Sequence, residues 1–411
     1  MRYDDSCGIH HALEEAEALT EPKHKFVLMM IPGLILMTIN MIHIGPPNFL
    51  LPGGHPNVSY YPYSFLHWAY SDVVALYGAR RLFLHTIPYF QNIIEYPVLI
   101  GLYMSAMSWL PGFWGYFIGS GLGLMAAFVG ALYLLRQTAG EKAAWWFTFS
   151  PLLLVFGMLN WDMLGLLTWG LTIAAWRKQR WFHTGLFLGL GVVTKFFPVV
   201  LLPYMVASLY QKDHRTHLKQ FLWGFVLTGI GINLPFALFA EEGWSEFFTF
   251  NSGRGPDPGI YQWLFQMGIL HIDTVNLLSA VLTLAGGLVF LALLWQGKLD
   301  AVEAGTAALS WWFLCNKVYS PQYMLWVYYA ILWVDVNIPL LLTANAAGLL
   351  DFGLAMRWLA LGTTNSPFLQ QFVDTVPAPI IAFRDLTLLA TAIMPWARHR
   401  AKNVRLTHKL P

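Results

Sequence analysis

The stretch WAYSDVVALYGARRL, residues 68–82, holds one carboxylate, Asp72, and two arginines, Arg80 and Arg81, among apolar residues. Ser71 suits a helix cap and Asp72 the first turn, where the helix dipole keeps a carboxylate ionised. An ionised carboxylate at a surface can take a proton from an attacking hydroxyl, as a general base does. The plainer account is that Asp72 only favours the helix start, while Arg80 and Arg81 touch lipid headgroups. Lys195 interrupts an apolar run from Leu186 to Tyr204 in VTKFFP. A cation near membrane depth is expensive and calls for an anionic partner, most naturally a phosphate; snorkelling to the interface is the alternative. Lys317, in NKVYSPQYMLW, and Arg254, in the glycine- and proline-rich NSGRGPDPG, are further candidates to hold a phosphate.

The remaining polar residues are candidate substrate contacts, most with a plainer structural account. Glu95 and Tyr96 open EYPVL, where Glu95 is either a substrate contact or a helix cap. Asn160 and Asp162 lie in NWDML, a substrate contact or a plain turn. Tyr319, Gln322 and Tyr323 suit hydrogen bonds to sugar hydroxyls, although tyrosines also form interfacial belts.

Membrane helices must position these residues. Of 411 residues, 57% are hydrophobic and only 11% charged, whereas soluble domains carry about 25% charged residues. Apolar runs recur along the chain at about the 20-residue length that crosses a bilayer, so an all-α polytopic membrane protein is expected. Hydropathy and the positive-inside rule place spans at about 26–44, 113–135, 144–159, 162–176, 181–195, 197–211, 219–240, 274–296, 303–316, 322–336, 338–356 and 378–395, about twelve in all. The segment 95–112, interrupted by Pro97 and Pro111, then lies along or dips into the outer interface. Residues 1–25 read as a cytoplasmic tail and 26–396 as one transmembrane catalytic domain. Within it, 45–112 forms a large extracytoplasmic loop with amphipathic juxtamembrane helices, and 397–411 is a basic cytoplasmic tail. Cytoplasmic loops such as WRKQR are short and basic. The polar clusters named above all fall on the opposite side, which points to one site on the outer face.

The net charge of +2 gives no reason to expect a nucleic-acid partner. Walker, CxxC, HExxH and GxSxG motifs are absent, so nucleotide, structural zinc and serine-hydrolase readings have no support. His43, His55, His67 and His85 share no helix face, and no metal is expected. NVS at 57–59 fits a glycosylation sequon, a short pattern. A disulfide between Cys7 and Cys315 would have to cross the membrane, so none is expected.

The acid in the first outer loop, EYPVL, the long segment NWDMLGLLTWGLTIAAWRKQRWFHTGLFLGLGVVTKFFPVVLLP and NKVYSPQYMLW together resemble glycosyltransferase family 87 over about residues 68–330. The chain departs from that pattern at Val98, where a second proline is common. The resemblance implies a GT-C type membrane fold and an inverting transfer of a hexose, typically mannose. The donor would be a polyprenyl-phosphate sugar and the acceptor a glycolipid or glycan, at the outer face of a bacterial plasma membrane and without a cofactor. Asp72 matches the family's catalytic carboxylate, and Lys195, Lys317 and Arg254 are the candidates to stabilise the leaving phosphate. On this scheme an ordinary carboxylate pKa at Asp72 suffices. The competing class is a transporter or flippase of lipid-linked sugars, which should show broken helices and polar residues near the midplane. A noncatalytic lipid-binding subunit is the third class.

Overall fold

A computed structural model describes residues 6–48, 60–363 and 377–407. In lipid every backbone polar group must be satisfied inside its own segment. Among the described residues the chain is accordingly helical throughout, with one isolated bridge between Pro88 and Asn92. His55 and the sequon at 57–59 lie outside the described residues.

Helix α1 (Ser6–Ile44) is continuous, so most of the expected tail extends the first span as helix. Two short helices follow in the first loop, α2 (Tyr60–Leu66) and α3 (Asp72–Ala79), and then α4 (Val98–Ser108). Eleven residues of helix reach only about 16 Å, against a hydrocarbon core of about 30 Å, so α4 is no full span. Its N-cap, Pro97, makes no side-chain cap bond. Glu95 therefore does not cap α4; it pairs with Arg80 at 2.8 Å.

The chain continues through α5 (Gly112–Ala139), α6 (Glu141–Thr148), α7 (Leu152–Phe156), α8 (Asp162–Arg177), α9 (Trp181–Lys195) and α10 (Leu201–Gln211). Then come α11 (Arg215–Phe225), α12 (Leu234–Phe239), α13 (Glu241–Gly253), α14 (Ile260–Gln266) and α15 (Ile272–Trp295). The last helices are α16 (Ala301–Cys315), α17 (Tyr323–Val334), α18 (Ile338–Leu361) and α19 (Pro377–Thr407).

Among the described residues six helical stretches are long and apolar enough to cross a membrane: His24–Ile44, Gly112–Ala139, Arg215–Phe239, Ile272–Trp295, Ile338–Leu361 and Pro377–Ala401. The other expected spans are shorter. The run at 144–159 is broken at Ser150 and Pro151 into α6 and α7, because proline cannot supply the bond a continuing helix needs. Hydropathy reads segment apolarity and is blind to such breaks.

Helix α17 shows why short helices persist here. Every residue from Met324 to Trp333 is buried, as expected for a helix apolar all round. Helices α16 and α18 pack on it, α5 and α6 also touch it, and Trp169 of α8 meets its Trp326 edge to face. Beside this core α9 and α11 approach closely through glycine: a Cβ at Gly185 would collide with the Phe221 carbonyl oxygen.

Helix α3 is fastened by its cap. The Ser71 hydroxyl accepts from the Val73 N–H at 3.1 Å and donates to the Met158 carbonyl at 2.7 Å, and the Asp72 N–H donates to the Leu159 carbonyl at 2.8 Å. Ser71→Ala removes the cap and leaves a buried carbonyl short of a donor, so a loss of roughly 1–3 kcal/mol is expected. Thermal unfolding in detergent checks this, and an unchanged midpoint would show that the fastening lies elsewhere.

Candidate active site

The local pull on each site residue starts with its own helix end. Asp72 is placed by the α3 cap, Asn160 and Asp162 by the turn into α8, and Lys195 by the last turn of α9. After Lys195 the chain turns sharply at Phe196, whose φ of 50° is unusual for a bulky residue. Such strain persists where the surroundings over-determine it. The Phe196 ring is held by Phe247, Phe248 and Trp312.

These ends meet around a cavity of about 670 Å³. Its wall includes Asp72, Glu95, Tyr96, Asn160, Lys195 and Arg254, together with Gln322 and Tyr323. The sequence had spread these residues over six segments. Three other candidates do not reach the wall. Lys317 is buried and donates to the carbonyls of Ser252 and Arg254, both at 2.8 Å. Asp162 is fully buried behind Lys195, and Tyr319 is buried under Arg384.

Asp72 is gripped at both oxygens. Tyr70 donates to Oδ1 at 2.7 Å and Tyr96 donates to Oδ2 at 2.6 Å. Burial raises the Asp72 pKa above the ordinary carboxylate value. The two tyrosine hydrogen bonds and the Lys195 charge oppose that rise, and Glu95 adds to it. The scheme works with an ordinary carboxylate pKa, and a carboxylate lifted toward neutrality is a better matched base. Burial also holds the Tyr96 and Tyr70 hydroxyls well above their usual pKa, so both remain donors.

Tyr96 joins two halves of the site. Its hydroxyl holds Asp72, while the Lys195 ammonium lies 4.9 Å from its ring centroid, within the range of a cation–π contact. The partner of Lys195 within the chain is Asp162, at 3.0 Å, and Trp326 Nε1 donates to the same Asp162 oxygen at 2.9 Å. Asp162 Oδ2 and Asn160 Nδ2 are buried and have no hydrogen-bond partner among the described residues. Arg254 pairs with Asp257 at 2.7 Å. Burial raises the Asp257 pKa and lowers that of Lys317, and the Arg254 charge pulls both down.

Arg80 does not serve lipid alone, as its sequence context suggested, because Glu95 takes it up; Arg81 is exposed. Tyr70, Trp326, Asp257, Asp351 and Arg384 escaped the sequence reading. The last two carried a signal, a charge inside an apolar span. Among the described residues no group of His, Cys, Asp and Glu is placed to hold a metal. His43 faces the Trp68 carbonyl, His67 that of Tyr63, and His85 stacks on Trp109.

No curated protein matches the chain. The profile of glycosyltransferase family 87 matches residues 94–321. That stretch carries Glu95, Tyr96, Asn160, Asp162, Lys195, Arg254, Lys317 and Tyr319, and it leaves Tyr70 and Asp72 outside. An all-helical membrane protein with spanning helices, matched over more than half its length, is thereby placed among the glycosyltransferases: the chain belongs to glycosyltransferase family 87.

Proposed function

We propose that the chain is an inverting hexosyltransferase, with mannose the favoured sugar, that uses a polyprenyl-phosphate donor and a glycolipid or glycan acceptor. The observation that carries this reading is Asp72, held by two tyrosine hydroxyls in a cavity whose wall also carries Lys195 and Arg254. The acceptor hydroxyl attacks the anomeric carbon and the bond from that carbon to the phosphate oxygen breaks. Asp72 takes the hydroxyl proton, and polyprenyl phosphate leaves as an anion that needs cations and no acid. Lys195 and Arg254 stabilise it where charge develops. Asn160, Gln322 and Tyr323 offer hydrogen bonds to the sugar. Lys317, Asp162 and Tyr319 act from behind the wall, holding the Arg254 segment and Lys195.

An adjoining apolar cleft of about 320 Å³, between α4, α9, α12 and α13, shares Tyr96, Phe196, Phe247 and Phe248 with the main cavity. It suits the isoprene units next to the phosphate. In this reading the short helices also cross the membrane, about twelve crossings in all, and the cavity faces outside a bacterial plasma membrane. A transporter of lipid-linked sugars is the second reading, favoured by the break between α6 and α7 and by the Asp351–Arg384 pair inside apolar helices. Membranes given radiolabelled polyprenyl-phosphate-mannose should yield labelled glycolipid or glycan. Translocation of intact donor without sugar transfer would overturn the enzyme reading in favour of transport.

The Tyr96 bond to Asp72 sets a pH test. That hydrogen bond favours the charged carboxylate, so Tyr96→Phe raises the Asp72 pKa further. The base is lost as pH falls through its pKa, and the acid limb of kcat/KM should therefore move to higher pH. A limb that stays in place, or moves down, would remove Asp72 as the titrating base.

A further inference from the structure

Arg384 on α19 and Asp351 on α18 lie outside the family-matched stretch, in helices of membrane-spanning length, and are 5% and 4% exposed. A buried ion pair between membrane helices is costly, and replacing it by apolar residues often stabilises a protein. Its retention calls for another use. Arg384 Nη1 lies 3.1 Å from Asp351 Oδ1 and donates to the Pro258 carbonyl at 3.3 Å, while Nε donates to Asp385 at 2.9 Å. The guanidinium also lies 4.3 Å from the Tyr319 ring centroid.

Pro258 and Tyr319 belong to two loops that are themselves joined. The Tyr319 N–H donates to Asp257 Oδ2 at 3.0 Å, and the Asp257 N–H donates to the Lys317 carbonyl at 2.9 Å. Asp257 Oδ1 accepts from Arg254 at 2.7 Å. A contiguous set of contacts thus runs from Asp351 through Arg384, Pro258 and Tyr319 to Asp257 and ends at Arg254. Arg254 lines the cavity; Arg384, Asp351 and Asp385 do not.

We propose that Arg384, oriented by Asp351 and Asp385, is a positioning residue that holds the 254–259 loop so that Arg254 presents its guanidinium to the donor phosphate. The link to phosphate rests on the donor reading above; the holding of the loop does not. A guanidinium suits this job because its planar fork bonds in several directions and stacks on an aromatic face together, which an ammonium does not.

The test uses the full chain in detergent or nanodiscs, with Arg384→Gln, Arg384→Lys, Arg254→Ala, Arg254→Ala combined with Arg384→Gln, and the double variant Asp351→Asn/Arg384→Gln. The double variant removes both charges of the buried pair, so it keeps the test open if Arg384→Gln alone unfolds. Hydrogen exchange over residues 252–259 should rise in both Gln variants. KM for the polyprenyl-phosphate sugar should rise about tenfold, equivalent to 1.4 kcal/mol, with kcat changed much less. Arg384→Lys should recover part of the loss, and Arg254→Ala combined with Arg384→Gln should be no worse than Arg254→Ala alone, because the two share one interaction. Unchanged exchange in the double variant, or KM losses that simply add, would overturn the proposal. Raised exchange in a chain that transfers nothing from polyprenyl-phosphate donors would uphold the holding of the loop and sink the donor reading.

Discussion

Asp72→Asn should lower sugar transfer by about 10²- to 10⁴-fold while leaving donor binding nearly intact, the usual contribution of a general base. The amide keeps the size of the side chain, and one tyrosine keeps an acceptor in the amide oxygen. The other faces an NH2 group that cannot accept, which costs roughly 1 kcal/mol. A small drop in thermal stability beside a large drop in kcat is therefore the expected pair of results. Radiolabelled transfer by wild type and variant, measured with donor affinity on the same samples, decides it. Equal transfer by both would remove Asp72 from the chemistry and favour a noncatalytic or transport role. The experiment carries extra weight because Asp72 lies outside residues 94–321, so its assignment rests on its tyrosine partners and on the cavity it faces.

Lys195→Ala should weaken both folding and catalysis. Removing the ammonium leaves the fully buried Asp162 carboxylate with the Trp326 N–H as its hydrogen-bond donor among the described residues and no cation, and an unpaired buried charge costs about 3–5 kcal/mol. It also removes a cation from the leaving phosphate, a loss of about 10²- to 10³-fold in kcat by comparison with other preorganised stabilising groups. The two effects separate in Lys195→Met/Asp162→Asn. That pair carries no buried charge, and the amide oxygen introduced at position 162 still accepts from Trp326, so folding should return. Transfer should stay low and the apparent affinity for polyprenyl phosphate should remain weak. Recovery of transfer in the double variant would show that Lys195 serves only to neutralise Asp162.

The two variants probe different halves of one arrangement. Tyr96 touches both, through its hydroxyl at Asp72 and its ring face at Lys195. Its replacement by Phe should spare the ring contact and disturb only the carboxylate, which is why the pH profile is the sensitive readout there.

By itself the sequence determined the solvent of this protein. Hydropathy follows from what each segment can bury, so a charged fraction of 11% and recurrent apolar runs were enough to require helices in a membrane. The Ser71 cap was legible too, because a cap is a contact between close neighbours in sequence. The candidate cations were legible only as charges out of place. Tertiary structure decided what each of them meets: Lys195 met a buried carboxylate from another helix, Lys317 turned to two carbonyls at the end of α13, and Arg80 found Glu95. It also lifted Asp72 above an ordinary carboxylate pKa, since burial is set by everything packed around a group. The breaks that shorten the helices, and the all-round burial of α17, were likewise fixed by packing. Residue type states how costly a charge or a polar group is to bury, whereas the partner that makes the burial tolerable comes from elsewhere in the chain, through the fold.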